Sequence, residues 1–338
     1  MPLGNVPIRL LYFGRTLKYN VSMRALVTGI SGFAGLHLAN HLRARPGLEV
    51  FGVVRRERPR LPRETYVADL CDDQAVRHLV EDIRPDLVFH LAAQAAVQVS
   101  WAKPRDTLVN NLVGELNLIQ AILSVGLSPR MLVVGSADEY GLVSPDELPV
   151  RETNELRPNS PYAVSKVAQD MLAYQYFLSH KLPIVRVRPF NHIGPGQSDL
   201  FASASFARQI AEIELGRREG VLLVGNLEAK RDFTDVRDIV RGYSLLLERG
   251  VPGEAYNLGS GRSVSVRYIL DTLLAHSRAR VRVETDPSRL RPSDVPELVC
   301  DYGKAAAATG WQPAIPLERT LKDLLNYWRE RLSCGGEN

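Results

Sequence analysis

The sequence predicts an α/β fold, a doubly wound parallel sheet with a smaller α/β lobe that binds the substrate. Two observations support this prediction. Short apolar segments alternate with helix-length amphipathic segments between Met23 and Leu258, an order typical of parallel strands joined by right-handed crossovers. In addition, a glycine-rich turn joins the first apolar segment to the first helical pattern.

The glycine-rich turn has the context of a dinucleotide site. Met23–Thr28 is a short apolar strand, and a Gly-x-x-Gly-x-x-Gly pattern separates it from a helical pattern running from Leu36 to Leu42. Glycines at this place allow a tight turn and a close approach of backbone amides to a pyrophosphate, which the helix N-terminus also attracts. The pattern therefore predicts a Rossmann nucleotide-binding domain rather than a turn without a ligand. The candidate cofactor-binding residues here are Gly29, Ser31, Gly32, Phe33 and Gly35.

Two arginines follow the second predicted strand, Glu49–Val54. An NAD enzyme usually has an acid at this place, whereas Arg55 and Arg56 can accommodate the 2′-phosphate of NADP. The alternative is a solvated basic loop, because further arginines follow at 58, 60 and 63. We expect NADP(H) as the preferred cofactor, with NAD(H) as the alternative.

The next predicted strands are Thr65–Val67, Asp86–Leu91 and Arg130–Gly135. Ligands bind at the carboxyl ends of parallel strands, so the residues at these ends are further candidates. Asp69 could accept a hydrogen bond from an adenine amine, or it could cap the helix that starts near Asp72. The other cofactor-binding candidates at these ends are Leu70, Leu91, Ala92, Ala93 and Gln94.

Tyr162 and Lys166 lie four residues apart in a helix predicted to begin near Pro161. Residues at this spacing share one helix face, so the phenol and the ammonium can point at the same spot. A free tyrosine titrates near ~10, and a neighbouring lysine cation favours the phenolate and lowers that pKa. The pair predicts a tyrosine that exchanges a proton with a substrate. The alternative is a buried tyrosine and a surface lysine on an ordinary helix.

The second half of the chain predicts a sixth strand at Leu182–Arg188 and a loop rich in glycine and proline at Asn191–Gln197. A helix from about Ala204 to Leu215 and a strand at Val221–Val224 follow, and Tyr256–Leu258 returns to the main sheet. The predicted units are an N-terminal extension (1–22), a Rossmann domain (23–190 and 236–262) and a smaller lobe (191–235 and 263–330).

The composition is that of a globular protein of about two domains. The chain has 338 residues, of which 45% are hydrophobic and 24% charged, and it has no apolar run long enough to predict a membrane span. The first 21 residues lack the features of a signal peptide, and three widely spaced cysteines suit a reducing cytoplasm and predict no metal site. The net charge of +4 comes from dispersed arginines, which favours a small phosphorylated ligand over a nucleic acid.

Five motifs occur together in the chain. They are TGISGFAG at Thr28–Gly35, HLAAQ at His90–Gln94, SADEYG at Ser136–Gly141, YAVSK at Tyr162–Lys166 and RPFNHIGPGQ at Arg188–Gln197. In this order they resemble the extended short-chain dehydrogenase/reductases that act on nucleotide sugars, from Met23 to about Arg331. The resemblance implies that Ser136 hydrogen-bonds the substrate oxygen, Tyr162 exchanges the proton, and Lys166 binds the nicotinamide ribose and tunes Tyr162.

The resemblance also implies a substrate class. Related enzymes contact the substrate's diphosphate at the positions of Arg231 and Arg291, with Asn191 beside it, and a nucleotide ribose at that of Asp294. Arg208 is a further substrate-binding candidate; the alternative for the arginines is surface salt bridges. The surrounding motifs are similar to those of enzymes that handle GDP-mannose derivatives. Among these, they resemble reductases that convert GDP-4-keto-6-deoxy-D-mannose to GDP-D-rhamnose.

Three alternatives stay open. A GDP-mannose 4,6-dehydratase needs a carboxylate that removes a sugar proton, and dehydratases of the family have glutamate where this chain has Asp138. Aspartate is one methylene shorter, which counts against dehydration without excluding it. An epimerase would show no net use of its cofactor. A non-catalytic sugar-nucleotide scaffold would be expected to lack one of the three implied catalytic residues, and all three are present.

The resemblance further implies a homodimer. In related enzymes, two helices of each copy form a four-helix contact, and the corresponding helices here are predicted at about 106–125 and 160–180. The alternative role of these helices is only to cover the sheet.

Overall fold

A computed structural model describes residues 22–57, 64–289 and 295–334. The strands of the main sheet are β1 (Met23–Thr28), β2 (Leu48–Val54), β3 (Thr65–Val67), β4 (Leu87–His90), β5 (Arg130–Val134), β6 (Ile184–Pro189) and β10 (Ala255–Leu258). The three strands between β6 and β10 in the chain belong to a second set of elements, described below. The helices around this sheet are α1 (Phe33–Arg43), α2 (Asp73–Ile83), α3 (Val97–Ala102), α4 (Pro104–Leu108), α5 (Gly114–Ser124), α6 (Pro161–His180), α8 (Val236–Arg249) and α10 (Gly303–Thr309).

The seven main strands form one parallel sheet in the order β3-β2-β1-β4-β5-β6-β10. Strand order reverses between β1 and β4, and a doubly wound sheet opens a ligand crevice at such a switch point. One apolar layer packs α1 and α8 on the first face, and a second layer packs α2, α5 and α6 on the other. The predicted doubly wound α/β fold is confirmed, and each predicted strand of the sheet is present within two residues of its expected ends.

A second set of elements lies beyond the carboxyl ends of the main strands. Its strands are β7 (Asn191–Ile193), β8 (Val221–Val224), β9 (Lys230–Asp235), β11 (Ser263–Ser265), β12 (Arg282–Thr285) and β13 (Glu297–Leu298). Its helices are α7 (Ala202–Glu214), α9 (Val266–Ala275) and α11 (Leu317–Ser333), which share one buried apolar cluster. The predicted domain boundaries stay a prediction, and residues 1–21 of the predicted extension lie outside the described residues.

Two predicted segments differ in the structure. The predicted loop at Asn191–Gln197 begins with β7, whose backbone pairs with β9, because a distant strand supplies hydrogen bonds that local sequence cannot indicate. The predicted helix at 106–125 is divided by a π-helical turn at Val109–Val113. This turn carries Asn111, whose amide accepts a 2.7 Å hydrogen bond from the Gln94 backbone and donates one of 2.8 Å to Ser165. Such turns often mark functional sites.

Among the described helices, none is both long and apolar enough to cross a membrane.

Candidate active site

A cavity of about 1590 Å³ lies between the carboxyl ends of β1, β4 and β5 and the smaller set of elements. Typical pockets for small ligands hold roughly 300–1,000 Å³, so this cavity has room for two extended ligands. All predicted cofactor-binding residues line it: Gly29, Ser31, Gly32, Phe33, Gly35, Arg55, Arg56, Asp69, Leu70, Leu91, Ala92, Ala93, Gln94, Tyr162 and Lys166. Their binding roles stay predictions.

The glycine turn forms the end of the cavity beside β1. Gly29 has a φ of +71°, which side chains rarely adopt, and a Cβ there would lie 3.0 Å from the Ala92 backbone. A Cβ on Gly35 would lie 2.2 Å from the Gly29 carbonyl oxygen. The absence of a side chain at both positions lets α1 lie close to β1, and Gly32 and Phe33 at the start of α1 line the cavity. The turn therefore fits the pyrophosphate of a dinucleotide.

The part of the cavity next to β2 carries opposite charges. The Arg55 guanidinium lies 3.0 Å from the Asp69 carboxylate, and Arg56 lines the cavity next to it. Asp69 also accepts a hydrogen bond of 3.0 Å from the Cys71 backbone. The alternative that Asp69 caps α2 is wrong, because Asp72 is the cap and accepts a hydrogen bond from Ala75 N at 3.0 Å. Asp69 therefore orients the Arg55 guanidinium at the cavity wall.

Ser136 and Tyr162 meet at the centre of the cavity. Ser160 caps α6 by accepting a hydrogen bond from Ala163 N, with Pro161 as the first helical residue, so Tyr162 lies in the first turn. The Tyr162 phenol lies beside Ser136, which follows β5, and both residues line the cavity. The structure thus brings two of the three predicted catalytic residues together.

The pKa of Tyr162 differs from the sequence-based expectation. Burial raises it above its ordinary value, the negative charge of Asp138 raises it further, and the neighbouring Ser136 side chain opposes both. The expectation of a lowered pKa is wrong in this structure. The physical reason is that desolvation of the phenol outweighs the stabilising contacts of the phenolate.

Lys166 lies on the same face of α6 and is 4% exposed. Its ammonium donates hydrogen bonds to the Val134 carbonyl at 2.8 Å and to the Gln169 side chain at 2.9 Å. Burial lowers the pKa of Lys166 to about 8, while the negative charges of Glu115 and Glu139 oppose this shift. The Val134 contact fixes the ammonium at the end of β5, beside the cavity.

Sequence reasoning missed how Ser136 is held. The Ser136 backbone N–H donates a 2.7 Å hydrogen bond to the Glu139 carboxylate, and the Ser136 hydroxyl accepts one of 3.1 Å from Asp138 N. Together these contacts form a capping box at the short 3₁₀-helix Ala137–Tyr140. The Ser-x-x-Glu spacing was the signal in the sequence that could have identified it.

The predicted substrate-binding residues separate into three groups. Ser136, Asn191 and Arg231 line the large cavity. Arg208 does not: it lines a smaller neighbouring pocket of about 200 Å³ and pairs there with Asp199 and with Glu212. The two other predicted residues, Arg291 and Asp294, lie outside the described residues.

Arg289 is a cavity residue that sequence reasoning missed. Its guanidinium lines both pockets, lies 3.2 Å from Asp286, and donates a 3.3 Å hydrogen bond to Ser205. The only sequence signal was its position in the same arginine-rich segment as Arg291. Among the described residues, no cluster of histidine, cysteine and acidic side chains has the arrangement of a metal site.

Comparison with known proteins agrees with this geometry. The family described as GDP-mannose 4,6 dehydratase matches residues 26–324. GDP-6-deoxy-D-mannose reductase of Pseudomonas aeruginosa is 35% identical over 92% of this chain and 99% of its own length. A GDP-mannose 4,6-dehydratase of Yersinia enterocolitica is 30% identical over 89% of this chain and 92% of its own.

A solved structure is also similar. RMD from Pseudomonas aeruginosa, complexed with NADPH, superposes with a TM-score of 0.82 at 35% identity, covering 91% of this chain and 99% of that one. The likeness thus extends over nearly the whole of both chains. On these grounds the chain belongs to the GDP-mannose 4,6 dehydratase family, within the extended short-chain dehydrogenase/reductases that its five motifs indicate.

Proposed function

We propose that this protein is an NADPH-dependent reductase that converts the C4 ketone of GDP-4-keto-6-deoxy-D-mannose to the alcohol of GDP-D-rhamnose. The observation that carries the proposal is that Ser136, Tyr162 and Lys166 line the same large cavity, with the Tyr162 phenol next to Ser136. The 35% identity with a GDP-6-deoxy-D-mannose reductase supports the choice of substrate.

The protonation state of Tyr162 suits a reduction. Bound NADPH would supply a hydride to the C4 carbon. Ser136 donates a hydrogen bond to the ketone oxygen, and Tyr162 delivers the proton to that oxygen. Because burial and Asp138 raise the pKa of Tyr162, its phenol carries this proton at neutral pH.

The preference for NADPH rests on the arginines beside β2. Arg55 is held by Asp69 with its guanidinium at the cavity wall, and Arg56 is next to it. Guanidinium groups bind phosphate oxygens through charge-assisted hydrogen bonds. We assign the 2′-phosphate of NADPH to these two residues, and the adenine amine to Asp69.

The substrate's diphosphate is assigned to the opposite end of the cavity. Arg231 and Arg289 line the cavity from two different segments, and Asn191 at the start of β7 lines it as well. Their positive charges suit the two phosphates of a GDP-sugar. Arg208 is assigned no direct contact, because Asp199 and Glu212 already pair with it.

Dehydration of GDP-mannose is the second candidate function. Asp138 lines the cavity and lies close enough to Tyr162 to raise its pKa, so a carboxylate is present near the sugar. The identity with GDP-mannose 4,6-dehydratases favours this alternative as well.

The deciding experiment mixes the protein with NADPH and GDP-4-keto-6-deoxy-D-mannose and follows the absorbance of the reduced nicotinamide. We expect substrate-dependent oxidation of NADPH and a GDP-6-deoxyhexose product. A parallel sample contains GDP-mannose and NADP⁺. If the ketone sugar leaves NADPH unchanged while GDP-mannose is dehydrated, the protein is a dehydratase.

We also propose a cytoplasmic homodimer. On α6, Val164, Met171, Tyr174 and Leu178 are each 37–49% exposed and recur at spacings that place them on one helix face. Val109, on the neighbouring π-helical turn, is 41% exposed. A second copy would cover this apolar face. Cys71, Cys300 and Cys334 are free, which suits a reducing compartment.

A further inference from the structure

Glu115 is a buried acid that the proposed reaction does not use. It lies in the first turn of α5, its side chain is 0% exposed, and neither carboxylate oxygen has a hydrogen-bond partner of normal geometry. Burial of an unpartnered carboxylate costs several kcal/mol at least. Such a group requires a nearby charge or a role that retains it.

Glu115 lies close enough to Lys166 and Gln169, both on α6, for each of them to oppose the raised pKa of its carboxylate. Gln169 connects the two residues, because its side-chain oxygen accepts the 2.9 Å hydrogen bond from Lys166 while its amide stabilises the Glu115 carboxylate. Lys166 is also the cation that stabilises the Glu115 carboxylate most strongly. The catalytic lysine and the buried acid thus share one polar neighbour.

The other charged groups that face this cluster have partners of their own. Asp170, on α6, lies 2.6 Å from Arg186 and 2.8 Å from Arg188, and Glu139 lies 3.0 Å from Arg188. Two carboxylates are therefore balanced by two guanidiniums. Among the described residues of this cluster, Lys166 and Glu115 make up the remaining pair of opposite charges.

His90, on β4, does not replace either member of that pair. Its ring is bound to Thr28 at 2.9 Å and lies 3.4 Å from the Gln169 amide. Burial and the Lys166 cation lower the pKa of His90 to about 3, so the imidazole is neutral at neutral pH. Glu115 and Glu139 are the two carboxylates that favour the Lys166 ammonium, and of these two only Glu139 has a guanidinium partner, Arg188.

We propose that Glu115 is a positioning residue that keeps Lys166 in its ammonium form, and so keeps the cofactor site working toward alkaline pH, without touching either ligand. The inference rests on the proposed role of Lys166 in binding the nicotinamide ribose. It assigns to Glu115 an electrostatic role in addition to its buried position in α5.

The two groups depend on each other for their charge. Burial lowers the pKa of Lys166 and raises that of Glu115, and each residue's charge opposes the other's shift. Below the pKa of Lys166, at about 8, the ammonium is present, and it is lost as the pH rises through that value. Removal of the Glu115 charge lowers the pKa of Lys166 further, so the ammonium is lost at a lower pH.

The test measures the affinity of the protein for NADPH from the fluorescence of the bound nicotinamide, between neutral and strongly alkaline pH. In the parent, we expect affinity to fall as Lys166 loses its proton. In Glu115→Gln, which keeps the shape but not the charge, this fall should move to lower pH by about one unit or more. Glu115→Asp keeps the charge and should resemble the parent. Glu81→Gln removes an exposed charge from α2 and should leave the profile unchanged.

Lys166→Met separates this inference from the proposed function. If the alkaline fall disappears in Lys166→Met but Glu115→Gln matches the parent, the inference about Glu115 is wrong and the role of Lys166 stands. If the fall persists in Lys166→Met, the assigned ribose contact is wrong and the inference is lost with it. A cooperative thermal transition in each variant shows that the protein is folded.

Discussion

The Glu139 carboxylate accepts a 2.7 Å hydrogen bond from the backbone N–H of Ser136, and neither the Glu139 side chain nor its ion-pair partner Arg188 is more than 4% exposed. A buried ion pair thus fixes the residue assigned to the substrate oxygen. Positioning of this kind matters because errors of about 1 Å at a reacting group can cost about 10²-fold in rate.

Gly135→Ala tests this arrangement. A Cβ on Gly135 would lie 2.2 Å from Glu139 Oε1, so the carboxylate must leave the Ser136 N–H. We expect turnover of the ketone sugar to fall by about 10²-fold, while NADPH affinity changes little. Steady-state kinetics and NADPH titration measure the two quantities. Parental turnover in a folded Gly135→Ala protein would mean that Glu139 does not position Ser136.

Tyr162→Phe removes the group assigned to proton delivery but keeps the ring. General acid catalysis contributes about 10²–10⁴-fold, so turnover should fall by that order while GDP-sugar and NADPH affinities stay near the parental values. Tyr174→Phe, the same change further along α6, is the matched control and should keep parental turnover. Near-parental turnover in Tyr162→Phe would show that another group delivers the proton.

The double substitution of Arg55 and Arg56 by serine tests the cofactor preference. Hydrogen bonds to charged groups contribute about 1.5–3 kcal/mol each, so NADPH affinity should fall by about tenfold or more. NADH lacks the 2′-phosphate, and its affinity should change little. Titration of both cofactors measures this difference, with Arg77→Ser on α2 as a control for loss of a surface arginine. An equal loss for both cofactors would contradict the assigned contact.

Met171→Glu tests the proposed dimer. The change places a charge in the middle of the exposed apolar face of α6, and burial of an unpaired charge is costly. We expect sedimentation to show a shift from dimer to monomer. Val251→Glu introduces the same charge at a residue 57% exposed outside that face, and it should stay dimeric. If the unsubstituted protein sediments as a monomer at micromolar concentration, the proposed dimer is wrong.

The parts of the site that follow from local sequence were predictable. The Gly29 to Gly35 turn and the Tyr162 to Lys166 spacing each lie within one strand–helix unit, where backbone geometry decides which side chains meet. The main strands were predictable for the same reason, since each is a short apolar run with a turn at its end.

Contacts between distant segments were not predictable from one sequence. Glu115 lies in a helix where a charged residue is usually solvated, and only tertiary packing buries it. Nothing in the sequence around Arg208 distinguishes an arginine that binds a ligand from one in an ion pair. Its pairing with Asp199 depends on the loop before α7. The raised pKa of Tyr162 likewise results from tertiary burial, which no residue spacing expresses.

Asp138→Asn separates two roles for the acid beside Tyr162. In the proposed reductase, Asp138 acts on Tyr162 through its charge and raises the pKa of the phenol. Removal of the charge lowers that pKa and makes Tyr162 a stronger acid, which speeds proton delivery to the ketone. The equilibrium constant of the overall reaction at a fixed pH does not depend on the enzyme. The substitution must therefore change kcat/KM for reduction and kcat/KM for oxidation by the same factor.

We therefore expect kcat/KM of Asp138→Asn to rise by roughly a few-fold for reduction of the ketone sugar and for oxidation of GDP-D-rhamnose. Asp146→Asn, an exposed acid close by in the chain, is the control for loss of one negative charge and should change neither. If Asp138 instead transfers a proton itself, both values fall. Loss of GDP-mannose dehydration in the same variant would then identify Asp138 as the base of a dehydratase, because that reaction alone needs a carboxylate at this place.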